Sequence, residues 1–331
     1  MSSRPSVTVV VPTRNRPGLL ACTVDSLLAQ EGVDVHVLVV DDGSDPPVER
    51  QLPSGARVRV LRNETARGVA AARNRGAAEA ANSWVAFCDD DDLWTPDKLA
   101  GQVRAAEQSG ARWAYTGAVK FAAGPVVWQV MAPPEVEEVR AHLADRNLIP
   151  AGASNVLVDR ATFLAVGGFD EELEHLADWD LWLQLLADAP PARAPGLGVA
   201  YRLHPQAMSL NPDGILRELR VIDRRWRHLR GGRALDPGPT HLWIAMSWLR
   251  TGRRWQAARS YARAVPHRPR QGVRGILRSV HPQPPRPAHL VEGDQAAGSR
   301  WKRVEGVHLT PQMSTLLTQT GGPMASQGRP A

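Results

Sequence analysis

The chain has 331 residues, which suffices for one large α/β domain with an appendage or for two modest domains. Hydrophobic residues (43%) and charged residues (22%) occur in the proportions of a soluble globular protein. No apolar stretch approaches the roughly 20 residues that a membrane span needs, so we expect any membrane contact to be peripheral.

The net charge of +6 and the isoelectric point near 10.0 favour an anionic partner, but the positive charge is unevenly distributed. Sixteen arginines and four acidic residues lie between Asp213 and His281, so this segment is strongly basic and the rest of the chain is net acidic. Such a block is usually a solvated helical face. It can also dock on anionic lipid or on a phosphorylated acceptor, and we expect peripheral membrane contact through residues 213–281.

Cysteine usage favours a reducing compartment. The two cysteines, Cys22 and Cys88, form neither a CxxC motif nor a zinc-ligand spacing. The sequence runs from Met1 into a strand pattern without a signal peptide. We therefore expect a cytoplasmic protein, peripheral at the inner face of the membrane if the basic segment docks there.

The first 90 residues alternate between strand and helix patterns. Helical patterns begin at Pro17 and at Gly68, and β-branched or aromatic runs predict strands at Ser6 to Val11, Val33 to Val40, Val58 to Leu61 and Trp84 to Cys88. This alternation is typical of an open, Rossmann-like, mostly parallel sheet flanked by helices. Such sheets bind ligands at the carboxyl ends of their strands, where this chain carries polar clusters.

The remainder is less regular and ends in helices. A helix over Asp97 to Ser109 and a strand around Trp113 to Tyr115 precede a variable stretch, roughly Val119 to Arg146. Further elements are predicted at Asn155 to Val158 (strand), Asp178 to Ala187 (helix) and Val199 to Leu203 (strand). The pattern is helical from Pro212, which predicts a C-terminal helical extension. Beyond His281 the Pro-, Gly-, Gln- and Ser-rich composition predicts disorder.

Four consecutive carboxylates, Asp89 to Asp92, follow the strand WVAFC directly. Adjacent carboxylates repel one another by about 1 kcal/mol per close pair even in water, so a fold rarely keeps them together without a cation. Mg²⁺ and Mn²⁺ bind oxygen ligands, commonly one or two carboxylates plus substrate phosphates. The alternative interpretation is a solvated acidic turn or a charged helix N-cap.

Three further segments offer donors and acceptors to a nucleotide. Asp42, in VVDDGS, can accept from a base imide or a ribose hydroxyl, or can simply cap an Asx-turn. The loop Pro12-Thr13-Arg14-Asn15-Arg16 is polar, and a helix N-terminus near Gly68 places Arg73 where it can face phosphate or remain solvated. The sequence lacks both GxGxxG after the first strand and GxxxxGK[ST], which argues against dehydrogenases and P-loop enzymes.

The ordered set of motifs VVVPTRNR, VVDDGSDP, GVAAARNRG, FCDDDDLWTPDKL, GGFDEEL, ADWDLWLQL and YRLHPQAMS resembles the family 2 glycosyltransferases over about Val7 to Ser209. The resemblance implies the GT-A fold and inverting transfer of a sugar from a nucleoside-diphosphate sugar, most often a UDP-sugar. It also implies a Mn²⁺ or Mg²⁺ cofactor and a glycan, lipid-linked or other hydroxyl acceptor.

The resemblance assigns roles to individual residues. Asp42 corresponds to the base-binding aspartate, and Thr13 lies in the first nucleotide-binding loop with Pro12, Arg14 and Asn15. The metal-binding D-x-D is filled by Asp89 to Asp91, with Asp89 and Asp91 as metal ligands and Asp90 near the ribose. Arg73 joins the nucleotide-binding set.

Asp178 corresponds to the catalytic base, although Ala177 stands where the family commonly has an acidic residue. Asp180 is a nearby alternative, but residues two apart on a helix do not share a face, so only one of the pair can point into the cleft. His204 in YRLHP is a candidate metal or diphosphate ligand, or a loop histidine with a structural hydrogen bond. Ser154 and Trp179 are candidates for the acceptor wall, with core packing as the alternative for the tryptophan.

These assignments predict three regions. Residues 1–211 form the GT-A domain, with a nucleotide half of about 1–118 and an acceptor half of about 119–211; residues 212–281 form the basic helical extension, and residues 282–331 a disordered tail. Two rival functions remain: a non-catalytic nucleotide-sugar-binding partner subunit, and a nucleic-acid binder built on the arginines. The acidic cluster argues against the latter, so we expect no nucleic-acid partner.

Overall fold

The computed structural model describes residues 4–52, 55–122, 126–203 and 214–280, together with Leu316. It shows one mixed nine-stranded sheet flanked by helices, followed by four C-terminal helices. The predicted metal ligand His204 and, apart from Leu316, the predicted tail over 282–331 lie outside the described residues.

The first half of the sheet is parallel, as the sequence predicts. Its strands are β1 (Ser6–Thr13), β2 (Asp34–Asp42), β3 (Val58–Asn63) and β4 (Trp84–Phe87), in the spatial order β3-β2-β1-β4. In this register Thr13 lies beside Asp41, and Asp42 lies beside Asn63. The carboxyl ends of β1, β2 and β4 therefore bring their polar clusters to one edge of the sheet.

The second half of the sheet is mixed. It consists of β5 (Leu93–Trp94), β6 (Trp113–Ala122), β7 (Val126–Met131), β8 (Leu157–Asp159) and β9 (Ala192–Leu203). Here β8 is antiparallel to β4 and β6, whereas β6 and β9 are parallel. The sequence pattern missed β5 and β7 because a two-residue strand has no period and because β7 lies in the stretch without a clear pattern.

Helices cover both faces of the sheet. They are α1 (Pro17–Leu28), α2 (Val69–Ala78), α3 (Lys98–Ser109), α4 (Val136–His142), α5 (Arg160–Ala165) and α6 (Ala177–Asp188). The core between the sheet and α6 is aromatic: the rings of Trp113 and Trp182 stack, with their centroids 6.2 Å apart. Of the 11 tryptophans in the sequence, Trp94, Trp113 and Trp182 are fully buried and serve core packing.

The C-terminal helices are α7 (Ile215–Trp226), α8 (Gly238–Arg250), α9 (Arg254–Ala264) and α10 (Pro269–Val280). The first of them is fastened to the segment that leads into α6. The buried Glu218 carboxylate accepts hydrogen bonds from the backbone N–H groups of Glu174, His175 and Leu176 at 2.8–3.1 Å. Leu176 is the N-cap residue of α6, so the Glu218 carboxylate ties α7 to the segment that leads into α6.

We expect Glu218→Gln to lower the free energy of unfolding by about 1–3 kcal/mol, because three backbone N–H groups would lose a buried, charged acceptor. Urea denaturation would measure the change. Glu79→Gln is the matched control, since Glu79 forms only an exposed ion pair with Arg59 and should change stability by less than about 1 kcal/mol. Equal losses in both variants would contradict the anchoring role.

Candidate active site

A cavity of about 580 Å³ opens at the carboxyl ends of β1, β2 and β4. Most of the predicted nucleotide and metal residues contribute to its wall, namely Pro12, Thr13, Arg14, Asp42, Arg73, Asp89, Asp90 and Asp91. The wall also includes residues to which the sequence assigned no individual role, namely Arg16, Arg67, Gly68, Val69, Ala70, Ala72, Glu171, Glu172, Leu173, Glu174 and Tyr201. Six segments that are separated in sequence therefore converge on one site.

Asn15 is the exception among the predicted nucleotide residues, because it does not line this cavity. Its side-chain oxygen accepts from the N–H of Asp45 at 2.8 Å, and its own N–H donates to the Ser44 hydroxyl at 2.9 Å. Its backbone φ of 56° lies in the left-handed region, which asparagine tolerates better than most residues. Asn15 thus braces the loop after β1 against the loop after β2.

The acidic run forms a compact oxygen cluster. Single carboxylate oxygens of Asp89, Asp91 and Asp92 lie within 4.8 Å of one another. Asp92 is fully buried; its Oδ1 accepts from the N–H of Arg202 at 3.0 Å, whereas its Oδ2 makes no hydrogen bond within the described residues. Burial, reinforced by the charges of Asp91 and Asp89, holds the pKa of Asp92 well above its usual range.

This donor set fits a divalent cation that prefers oxygen ligands. An unsatisfied buried carboxylate oxygen beside two further carboxylates is costly, and a Mg²⁺ or Mn²⁺ ion would satisfy and neutralise it. The sequence named Asp89 and Asp91 as ligands and overlooked Asp92. The sequence of four aspartates does not show which of them are placed to bind a metal, because Asp92 becomes buried only when β9 packs beside it.

Asp90 faces away from this cluster toward the first loop. It accepts a 2.6 Å hydrogen bond from the Thr13 hydroxyl and a 3.2 Å contact from the Arg16 guanidinium, which also reaches Asp91 at 3.1 Å. Burial and the neighbouring Asp91 raise the pKa of Asp90 to about 6. Arg16, which sequence reasoning did not select, therefore links the β1 loop to the acidic run.

The two aspartates at the end of β2 have different roles. Asp41 caps the turn, because its Oδ1 accepts from the N–H of Ser44 at 2.9 Å and its Oδ2 pairs with Arg62 at 2.6 Å. Asp42 lines the cavity and accepts from the side chain of Asn63 and from the N–H groups of Arg67 and Gly68. The Asx-turn considered for Asp42 thus belongs to Asp41, which leaves Asp42 at the ligand site.

Arg73 is a buried cation in the cavity wall. Its guanidinium pairs with Asp89 and lies 5.1 Å from the centre of the Phe169 ring, while its Nε has no hydrogen-bond partner within the described residues. The alternative that Arg73 is merely a solvated helix residue does not fit this burial. A buried guanidinium beside the acidic cluster supplies positive charge where a diphosphate would lie.

Asp178, in the first turn of α6, is half-buried near Arg73 and Asp89. Its Oδ1 accepts from the N–H of Trp179 at 2.7 Å, and its Oδ2 is 3.3 Å from the side-chain amide of Asn147. Burial raises the pKa of Asp178 to about 6, with Asp89 adding to the shift and Arg73 opposing it. A carboxylate with this pKa is suited to accept a proton near neutral pH.

Asp180, the alternative base, is fully buried and already satisfied. Its oxygens accept from Trp226 Nε1 at 2.7 Å, from the Arg225 guanidinium at 2.8 Å and from Gln184 at 2.9 Å. Asp180 therefore faces α7, on the side of α6 away from the cavity, and only Asp178 is left to serve the cleft.

The two residues predicted to contact the acceptor lie inside the protein. Ser154 is fully buried, and its hydroxyl accepts from the N–H of Asp89 at 3.0 Å. Trp179 is 5% exposed, packs in the core and donates its indole N–H to the carbonyl of Leu143 at 2.7 Å. Because neither side chain reaches a cleft surface, the expectation of acceptor contact is not retained; Ser154 instead positions the first residue of the acidic run.

Comparison with known proteins gives this site a context. The family described as "Glycosyl transferase family 2" matches residues 8–161, and the related "Glycosyltransferase like family 2" matches residues 118–227. The chain belongs to the family 2 glycosyltransferases. The matched segments of this family 2 chain include the acidic run, Asp42, Arg73 and Asp178, and they end at α7.

Curated relatives of this family 2 chain come from several bacteria. An uncharacterized glycosyltransferase of Haemophilus influenzae is 30% identical over 186 residues, which cover 55% of this chain and 62% of the relative. Succinoglycan biosynthesis protein ExoO of Rhizobium meliloti is 39% identical over 33% of this chain and 32% of its own length. This chain thus spans less than two thirds of these two relatives.

Two of the relatives are named for the same reaction. One of them is the UDP-Glc:alpha-D-GlcNAc-diphosphoundecaprenol beta-1,3-glucosyltransferase WfgD of Escherichia coli, 27% identical over 55% of this chain and 70% of its own length. Among solved structures, Staphylococcus aureus TarS with UDP-GlcNAc aligns with a TM-score of 0.54 and 17% identity, over 83% of this chain and 81% of that chain. The TarS complex with UDP gives 0.51 over 73% and 70%. These neighbours show a GT-A-like fold.

Proposed function

We propose that this chain transfers a sugar with inversion from a nucleoside-diphosphate sugar, with UDP-sugars favoured, to an acceptor hydroxyl in glycan or glycoconjugate biosynthesis. The observation that carries the proposal is the convergence of Asp42, the acidic run and Arg73 on one cavity, with Asp178 beside them. Family membership supports it, as do relatives and structural neighbours named for UDP-sugars.

In the proposed donor complex, Asp42 and the loop after β1 bind the nucleoside, and Asp90 lies at the ribose. Asp89 and Asp91, joined by Asp92, would hold Mn²⁺ or Mg²⁺, which when bound neutralises charge on the leaving diphosphate. Arg73 adds a fixed positive charge on the same side. His204 remains a proposed further ligand outside the described residues.

At the anomeric carbon one bond forms and one breaks, and a proton moves from the acceptor hydroxyl to a base. The acceptor oxygen attacks the anomeric carbon, the bond from that carbon to the diphosphate oxygen breaks, and its electron pair leaves with the diphosphate. Asp178 accepts the proton of the acceptor hydroxyl. Asn147 orients the base through its contact with Oδ2, and Asp180 anchors the same helix to α7.

We propose the following organisation for these functions. Residues 1–118 bind the nucleotide, residues 119–211 receive the acceptor, and the basic extension begins at 212. The contacts of Glu218 and Asp180 with their partners support treating α7 as a structural support of the transferase unit.

We also propose that the chain acts in the cytoplasm at the inner face of a membrane, on a glycan, lipid-linked or other hydroxyl acceptor, with no nucleic-acid partner. Within the described ranges, no helix combines the length and apolar character that crossing a membrane requires. The basic C-terminal segment and the lipid-linked acceptor in the name of one relative support a peripheral position.

A donor panel tests the transferase directly. Purified protein is incubated with UDP-glucose, UDP-N-acetylglucosamine and UDP-galactose, with and without Mn²⁺, and nucleotide release is measured. We expect metal-dependent release of UDP from at least one donor. Binding of UDP-sugars without release from any donor, even when lipid and glycan acceptors are added, would favour the non-catalytic partner subunit instead.

The pH dependence of transfer should show an acidic limb near pH 6. Because the pKa of Asp178 is raised to about 6, the base is protonated and inactive below that pH and ionised above it. We expect kcat/KM at saturating Mn²⁺ to rise with pH through this range and to be about tenfold lower at pH 5 than at the plateau. Asp90 also has a pKa of about 6, but its titration should change UDP affinity, so UDP affinity measured over the same pH range separates the two residues. A kcat/KM that does not fall between the plateau and pH 5 would contradict the assignment of Asp178.

A further inference from the structure

The last three helices form a unit without negative charge. From Gly238 to Val280 the sequence contains nine arginines and neither aspartate nor glutamate. Eight of these arginines are exposed, namely Arg253, Arg254, Arg259, Arg263, Arg268, Arg270, Arg274 and Arg278. Within the described residues, Arg268 pairs with Asp236, which lies outside the unit, and the unit supplies no acid of its own to offset the rest.

Helix α10 packs with its smallest residues inward. Gly272, Gly275 and Ser279 are its buried residues, and they lie on one face of the helix. A Cβ atom at Gly275 would lie 2.1 Å from Cδ1 of Tyr261, so α10 approaches α9 more closely than any larger side chain would allow. The helix is therefore held by contacts that do not use its large apolar residues.

Those large residues point outward instead. Val273, Leu277 and Val280 are 49%, 60% and 58% exposed, and their spacing of four and three residues places them on one face. Arg274 and Arg278 directly follow Val273 and Leu277, and Arg270 precedes Arg274 by four residues, so the three arginines share the strip of the helix surface beside the apolar face. An apolar stripe edged by arginines is the arrangement of helices that lie in a membrane interface.

We propose that the outer face of α10, defined by these three apolar residues and three arginines, docks on an anionic lipid bilayer. The apolar side chains would enter the boundary between headgroups and acyl chains, while the guanidinium groups pair with lipid phosphates. Trp255, at the start of α9, is 86% exposed and is a residue type that favours the same boundary.

The charge and the apolar residues of this face favour an anionic bilayer over a second copy of the chain or a nucleic acid. In a symmetric dimer built on this face, the arginines of one copy would oppose those of the other, and the Gly238–Val280 unit has no acid to offset them. Nucleic acid would satisfy the arginines but would leave an exposed apolar stripe without a purpose. An anionic bilayer accounts for both features.

The docking unit is packed against the part of the chain that carries Asp178. Ile215 of α7 shares a buried cluster with Ile244 and Trp248 of α8 and with Tyr261 of α9. Since α7 anchors α6 through Glu218 and Asp180, a bilayer bound at α10 would hold the cleft at a fixed orientation to the membrane. The inference goes beyond sugar transfer and does not depend on it.

Vesicle sedimentation with the full chain tests the proposal. The probes are vesicles of phosphatidylcholine alone and of phosphatidylcholine with about 30% of the anionic lipid phosphatidylglycerol, which gives the surface a negative potential that attracts basic segments. We expect binding to the anionic vesicles only, weakened by salt. Leu277→Ser should reduce affinity about tenfold, and Arg274→Gln about fivefold. Leu164→Ser and Arg59→Gln, exposed substitutions on α5 and β3, are matched controls and should have no effect.

UDP release and thermal unfolding of each variant show that folding is retained, and light scattering reports the oligomeric state. The proposal is overturned if the wild type does not bind anionic vesicles, or if Leu277→Ser and Leu164→Ser bind them equally. A dimer that Leu277→Ser dissociates, with no vesicle binding, assigns the face to a second copy. Tight binding of a DNA duplex without vesicle binding assigns it to nucleic acid. Either result overturns the lipid assignment.

Discussion

Asp178→Asn should abolish sugar transfer while leaving donor binding intact. The substitution keeps the size of the side chain and its contact with Trp179 but removes the ability to accept a proton at neutral pH. General-base catalysis is typically worth about 10²–10⁴-fold, so we expect kcat to fall by that factor. KM for the donor should change by less than about threefold, because Asp178 is not among the residues that line the cavity with the proposed nucleotide and diphosphate contacts.

Asp188→Asn is the matched control for this experiment. Asp188 is the last residue of the same helix and is exposed, so its replacement should leave kcat within about twofold of wild type. Steady-state rates of the two variants with a donor identified in the panel give the comparison. Near-normal turnover in Asp178→Asn would refute its role as the base.

Asp91→Asn should remove metal-assisted binding of the nucleotide. It takes one charged oxygen ligand from the cluster with Asp89 and Asp92, and its partner Arg16 would then neutralise Asp90 alone. Even an indirect partner of a metal ligand is worth about 10–100-fold, so loss of a direct ligand should weaken Mn²⁺-dependent UDP affinity by at least about 100-fold. Metal-independent affinity should change little.

Calorimetric titration of UDP with and without Mn²⁺ measures both affinities. Asp97→Asn serves as the control, since Asp97 is an exposed aspartate near the start of α3 that makes no capping hydrogen bond with its side chain. It should retain the metal effect in full. An Asp91→Asn protein that keeps the Mn²⁺ enhancement would remove Asp91 from the ligand set.

The sequence predicted which strand-end residues meet at the cavity because that information is local. Each parallel strand ends at a polar cluster, and adjacent parallel strands bring such ends together whatever the details of packing. The position of Asp42 in the cavity and the distinct roles of Asp178 and Asp180 follow from strand ends and helix periodicity, respectively. The family resemblance placed the same residues in order.

Features that depend on distant packing were missed. Trp179 is adjacent in sequence to Asp178, but its burial and that of Ser154 are decided by the sheet and by α4, which no local pattern reveals. Asp92 is buried where β9 lies beside the acidic run. The N–H of Arg202, 110 residues away in sequence, satisfies its Oδ1, and its Oδ2 is left without a hydrogen bond within the described residues. Likewise, in the sequence Glu218 is one acidic residue in a basic helix. Its role as a hydrogen-bond acceptor follows only from the packing of α7 against the segment before α6.

Helix α10 illustrates the same limit in reverse. Its Gly272 and Gly275 lower helix propensity, and the sequence alone gives no reason for their positions. The structure supplies the reason, since these glycines permit close contact with Tyr261 and leave the valine and leucine side chains outside.

The most direct test of the account is calorimetric titration of the wild-type chain with UDP, first in the presence of a chelator and then with Mn²⁺ or Mg²⁺. We predict that the cation strengthens UDP binding by at least tenfold, about the smallest effect expected when an ion bridges carboxylates and phosphates. Identical UDP affinity with and without both cations, or no binding of any nucleoside diphosphate, would contradict the proposal that the cluster of Asp89, Asp91 and Asp92 holds a metal for a diphosphate leaving group.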